Sequence, residues 1–169
     1  MRTIFLILVF FFIFGQKFAY SDPKIIKKIS DTKNFAFDFE QFINDKKETG
    51  NCIISFDNKM ICKYDESGKI IVSNGKTLLV RNKNSSFANT YKTENTYFKY
   101  ILNKEFLISK IEGNVIKKEK NFLLSINDEN NQLNIFFDKN NHLIKGWETI
   151  DLYGNKVRSN IVVKNINQK

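Results

Sequence analysis

Histidine is almost missing from this chain: the one residue, His142, sits in the turn-like run Asn140-Asn141-His142. A lone turn histidine reads as a solvated residue, and neither a zinc site nor a nucleophile-base pair can be assembled around it. The seven glycines stand singly in turns, so no glycine-rich loop exists to cradle a phosphate. Acidic residues are scattered over polar strand positions and loops, without a spacing that marks a catalytic carboxylate pair. The two cysteines, Cys52 and Cys62, have no companion ligands with which to hold a metal. These shortages argue against an enzyme, a cofactor and a metal site, and leave an exported hydrolase as the least favoured reading.

Beyond the first 21 residues there is also no apolar run long enough to cross a bilayer as a helix, which takes roughly 20 residues. The run from Ile4 to Phe14 follows Arg2 and leads to Ala19-Tyr20-Ser21, so residues 1–21 read as a cleavable secretory signal. No cysteine closes that leader, and so none offers a sulfur for a lipid anchor. Cleavage leaves 148 of the 169 residues, residues 22–169, the size of one domain with one core. The formal charge of +9 falls to +7 when Arg2 and Lys17 leave. A basic surface invites anionic partners, and export removes nucleic acid from that list.

What remains is mostly strand. Asp22-Pro23 opens a short helix through Asp31, because proline suits the first helical position and Ile25, Ile26 and Ile29 form a stripe. Phe35, Phe37 and Phe39 alternate with Ala36, Asp38 and Glu40, which puts three rings on one strand face. Strands follow over 50–56, 60–64, 70–73 and 77–81, the last two joined by a tight hairpin on Asn74-Gly75. Thr93 to Lys110 is an amphipathic helical insert that breaks near Asn103-Lys104. Strands resume over 114–119, 122–126, 132–137, 143–150 and 157–166. Folding residues 50–64 about Asp57-Asn58-Lys59 sets Cys52 almost opposite Cys62 on one face. A disulfide between them is favoured over two free buried thiols. The expected fold is mainly β with an α+β character. A curved antiparallel sheet forms an incomplete β-barrel, with helices covering its concave mouth.

The surplus is aromatic: seventeen Phe, six Tyr and one Trp. By alternation Phe35, Phe37, Phe39, Ile54, Phe56, Met60, Tyr64, Val72, Leu78 and Val80 could line one concave side, although parity yields two faces without labelling them. A loose helical cover, with Tyr97, Phe98, Ile101 and Leu102 facing inward as a lid, would make that side a slot for acyl chains.

Four motifs carry a family likeness. They are Phe37-x-Phe39-x-Gln41 followed by Gly50, the segment Val72 to Leu78, Thr96 followed by Ile101-Leu102, and Leu143-x3-Trp147-x3-Asp151-x2-Gly154. In order and spacing the chain resembles the periplasmic outer-membrane lipoprotein carriers, the LolA family. Asn74 stands where the family form has Asp, and Tyr97 where it has Pro. The resemblance implies a monomeric periplasmic carrier that shields acylated lipoproteins. It would take them from an inner-membrane ABC lipoprotein transporter and pass them to an outer-membrane lipoprotein receptor. A lipid-binding receptor or an envelope-stress sensor module of the same fold is the alternative. The family's Arg-Pro, whose Arg latches the helical lid, is replaced by Phe56-Asp57. Apolar packing, or Lys59, is then expected to hold the lid.

Overall fold

A computed structural model describes residues 22–127, 132–151 and 154–168; the leader reading lies outside the described residues. Helix α1 (Pro23–Asp31) starts where Asp22 caps it, its carboxylate accepting from the Lys24 N–H at 2.9 Å. Ile25 and Ile29 are buried and Ile26 packs beside them, so the stripe turns inward.

Among the described residues eleven antiparallel strands form one open sheet. They are β1 (Asn34–Ile43), β2 (Lys46–Ser55), β3 (Lys59–Tyr64), β4 (Ile70–Ser73), β5 (Thr77–Arg81), β6 (Ala88–Lys92), β7 (Val115–Lys117), β8 (Phe122–Asn127), β9 (Gln132–Phe137), β10 (Ile144–Ile150) and β11 (Lys156–Ile166). Their order is β6-β5-β4-β3-β2-β1-β11-β10-β9-β8-β7, so β6 and β7 are free edges and the barrel stays incomplete. Between β6 and β7 run a 3-10 turn (Thr93–Asn95), α2 (Phe98–Leu102) and α3 (Lys104–Ile111). The insert does break at Asn103, which leaves α2 in extended geometry and caps α3 by accepting from the Phe106 N–H at 2.9 Å. The three α-helices of the described residues share one apolar core with the inner face of the sheet.

Alternation decides which side chains reach that core. In β1, Phe35, Phe37, Phe39 and Gln41 are buried while Asp38 and Glu40 are exposed. In β3, Met60, Cys62 and Tyr64 are buried, and Cys52 stands directly opposite Cys62 in the register. Those two cysteines are joined by a disulfide, with Cα atoms 4.1 Å apart. Gly50 lies opposite Phe39 and leaves room for its ring; a Cβ there would sit 2.1 Å from the Lys63 carbonyl oxygen and 2.6 Å from the Phe39 ring.

Three expectations need correction. The β4–β5 turn is centred one residue later than Asn74-Gly75: Ser73 pairs with Leu78, and Asn74 closes the turn by taking the Lys76 and Thr77 N–H groups on its side chain. Gly75, at φ +92°, supplies the positive dihedral by itself. That register sends Ser73 and Ile71 inward and Val72 outward, opposite exposed Ile61 and Leu79. Val72 therefore lies on the convex face and does not line the concave side. Buried Ser73 is tolerated because its hydroxyl accepts from the Gly75 N–H at 3.1 Å and lies 3.5 Å from the Thr93 hydroxyl. His142, in turn, is not simply solvated. It adopts φ +61°, stacks on Phe122 with centroids 5.9 Å apart, and brings Nε2 to 4.0 Å from the capping Asp22 carboxylate.

Candidate lipid-binding hollow

Aromatic rings from β1 floor the concave side. Phe35 stacks on Phe37 at 5.4 Å and tilts against Phe56 at 5.7 Å; Phe37 meets the Trp147 edge at 6.1 Å, and Phe39 meets Tyr64 at 4.8 Å. Where these rings face the helical insert they enclose a small hollow. Its apolar wall comes from Phe37, Phe39, Met60, Ile71 and the Cys52–Cys62 bridge, and its roof from Tyr97 and Phe98. A polar corner is made by Gln41, Tyr64, Ser159 and Trp147. The space left inside is about 10 Å³, room for at most one water.

Of the residues expected to line the slot, Phe37, Phe39, Met60 and Tyr64 border this space. Phe35, Ile54, Phe56 and Leu78 are buried in the same core, and Val80 packs half-buried at its margin. Of the expected lid residues, Tyr97 and Phe98 form the roof, while Ile101 and Leu102 are fully buried behind it. Gln41, Ile71, Trp147 and Ser159 were not among the slot residues read from the sequence. Gln41 and Trp147 already stood in the family motifs, but for the two polar members burial could not be told from strand parity alone.

The polar corner is a row across three strands, with Ser159 opposite Gln41 on one side and opposite Trp147 on the other. The Gln41 side-chain oxygen accepts from the Tyr64 hydroxyl at 3.3 Å and from the Ser159 hydroxyl at 3.4 Å. Burial pushes the Tyr64 phenol far above its ordinary pKa, with Tyr97 and Glu48 adding to the rise and the Gln41 bond opposing it. Burial raises the Tyr97 phenol as well, with the Trp147 indole acting in the opposite sense. The indole nitrogen, Nε1, is itself buried and meets no acceptor in hydrogen-bond geometry. Both phenols are neutral at any physiological pH, and no charged side chain borders the hollow. Among the described residues no group of His, Cys, Asp and Glu could hold a metal ion.

The lid is tied down around Phe56-Asp57. Asp57 forms an isolated antiparallel bridge with Asn103, at the break between α2 and α3, and Lys104 places its ammonium 5.4 Å from the Phe56 ring centre. Lys104 also donates to the Ser30 carbonyl at 3.1 Å, linking α3 to α1. Lys59 is paired with Asp57 of its own hairpin. The pieces being held are short: α2 has five residues, too few to persist as a helix without the packing beneath it.

The site is therefore an open β-shell whose interior, roofed by short helices, is lined by uncharged and mostly apolar side chains. The model of the outer membrane lipoprotein carrier protein LolA matches residues 30–169, and the chain belongs to that family. It is a family of lipoprotein-binding proteins. No curated protein matches the chain. Among solved structures, a LolA superfamily protein from Nitrosomonas europaea is 9% identical with a TM-score of 0.45, over 89% of this chain and 94% of that one. LprF from Mycobacterium bovis is 8% identical with a TM-score of 0.36, over 88% and 95%. The MucA/MucB complex of Pseudomonas aeruginosa is 9% identical with a TM-score of 0.36, over 87% and 57%.

Proposed function

We propose that this protein is a periplasmic carrier that takes acyl chains of lipoproteins into the hollow and shuttles them from the inner to the outer membrane. Residues 1–21 would direct its export and be removed, leaving residues 22–169 as the working domain. The observation that carries the reading is the uncharged hollow roofed by Tyr97 and Phe98 on short helical pieces. Each buried methylene contributes about 0.8 kcal/mol, so a cargo with two or three acyl chains cannot cross water unaided.

A space of about 10 Å³ admits no acyl chain while the roof is down. Binding then requires the Tyr97–Phe98 segment and α2 to lift, and the cost of lifting them is subtracted from the affinity. That subtraction is useful. A carrier that competes with its own lid holds cargo loosely enough for a better receptor to take it by differential free energy. The phases would be loading from an inner-membrane ABC transporter, transit with the chains covered, and release to an outer-membrane receptor. None of these makes or breaks a bond in the cargo.

Protein purified from its own cells and extracted with organic solvent should yield lipoprotein-derived acyl chains by mass spectrometry. Depletion of the protein should leave lipoproteins in the inner membrane. Recovery of no acylated cargo, together with unaltered lipoprotein sorting on depletion, would overturn the proposal.

A further inference from the structure

The hollow is apolar apart from the corner made by Gln41, Tyr64, Ser159 and Trp147 and the Tyr97 hydroxyl in its roof. There the Ser159 and Tyr64 hydroxyls both donate to the Gln41 side-chain oxygen. Trp147 does not share in this. Its side chain is 4% exposed, it borders the hollow, and its Nε1–H has no acceptor in hydrogen-bond geometry. The polar group that bears on the indole from the lid is the Tyr97 hydroxyl, and Tyr97 belongs to the segment that has to lift. A hollow opened and then filled with plain hydrocarbon would leave that donor as unpaired as it is in the closed protein, whereas a ligand oxygen placed there would supply the acceptor it lacks.

We propose that the Trp147 Nε1–H donates to the neutral carbonyl oxygen at the head of a bound acyl chain, an ester or an amide, and so selects acylated molecules over bare hydrocarbon. An indole is a donor only, and an ester carbonyl is an acceptor only, so the two are complementary. An ionised fatty acid is disfavoured by the same wall. Its carboxylate would be buried with no cation among the lining residues. The contact also fixes where the head of the chain sits, beside the Phe37 ring that meets Trp147 at 6.1 Å. This inference rests on the acyl-carrier reading and goes beyond it by naming the group recognised.

Trp147 is the sole tryptophan of the chain, so ¹⁵N-labelled protein gives a single indole N–H resonance. Methyl decanoate and tridecane, matched in heavy atoms, are titrated into the wild-type protein and into Trp147→Phe, which keeps an aromatic ring and loses the donor. The ester should move the indole proton downfield, and tridecane should bind without moving it. The ester-to-alkane affinity ratio should fall about fivefold in Trp147→Phe, the worth of one ordinary hydrogen bond. An unchanged ratio, or an indole proton that ignores the ester, overturns the inference while leaving the carrier reading in place. Binding of neither ligand, even to the lid-loosened Ile101→Ala protein, overturns both.

Discussion

Ile101 offers a test of whether the lid competes with cargo. It lies in α2, is fully buried, and belongs to the same apolar core as the sheet. Truncating a buried isoleucine to alanine costs about 2–5 kcal/mol; the closed protein should lose roughly 3 kcal/mol of this. The lid-lifted state has already given up the Ile101 contacts, so it loses far less. The difference between closed and open shrinks by nearly the same amount, and each 1.4 kcal/mol is a factor of ten. Ile101→Ala should thus bind a fluorescent acyl ester up to about 100-fold more tightly while unfolding at lower urea. The two readouts move in opposite directions, which a general loss of structure cannot produce. If affinity falls together with stability, the lid does not compete with the ligand and the account of weak, releasable binding is wrong.

Gly50→Ala should cost about 3 kcal/mol or more, because the new Cβ meets the Lys63 backbone oxygen and the Phe39 ring; urea unfolding followed by Trp147 fluorescence measures it. Replacing both Cys52 and Cys62 by alanine should cost about 2.7 kcal/mol, the loop-closure value for a bridge across ten residues, and dithiothreitol should shift the wild type the same way. Glu48 is nearly buried, which raises its pKa, but the Lys69 pair at 2.8 Å and the Lys46 pair at 3.5 Å outweigh burial and hold it below 4.5. A folded-state pKa below the unfolded one means stabilisation that is complete above about pH 4.5 and fades as acid protonates Glu48. Glu48→Gln should flatten the acid limb of stability against pH. Lys59→Ala should leave acyl affinity unchanged, since Lys59 serves an exposed pair with Asp57; a weakened lid in that variant would reinstate it as the latch.

Much of the architecture was legible from periodicity. Phe35, Phe37 and Phe39 are buried as their alternation requires, and the helical insert breaks at Asn103, where an asparagine can cap the second piece. Strand β6 carries no core pattern in the sequence, because all of its residues are exposed. The start of β2, Lys46 to Thr49, is silent in the sequence for a related reason: it is polar and held in place by pairing with β1. Val72 lies on the other face because it pairs with exposed Ile61 and Leu79, while Leu78 pairs with Ser73; either placing of the turn separates Val72 from Leu78 and Val80, so counting residues across the hairpin already divides them. The size of the hollow could not be read at all. It depends on how far Tyr97 and Phe98 descend onto the rings of β1, and that distance is a property of tertiary packing.

The seam between β1 and β11 has a consequence for how the molecule comes into being. Phe35 pairs with Ile166, so the middle of the sheet is stitched from the two ends of the described chain. The strands on either side are hairpins that can zip from neighbouring residues, but neither half can be joined to the other until the last segment is free. A chain still threading through a narrow passage would hold two loose half-sheets with no completed shell, and would close only after its tail had come through. Cutting the molecule before Lys156 should leave two such halves without a seam, whatever the quality of their own hairpins.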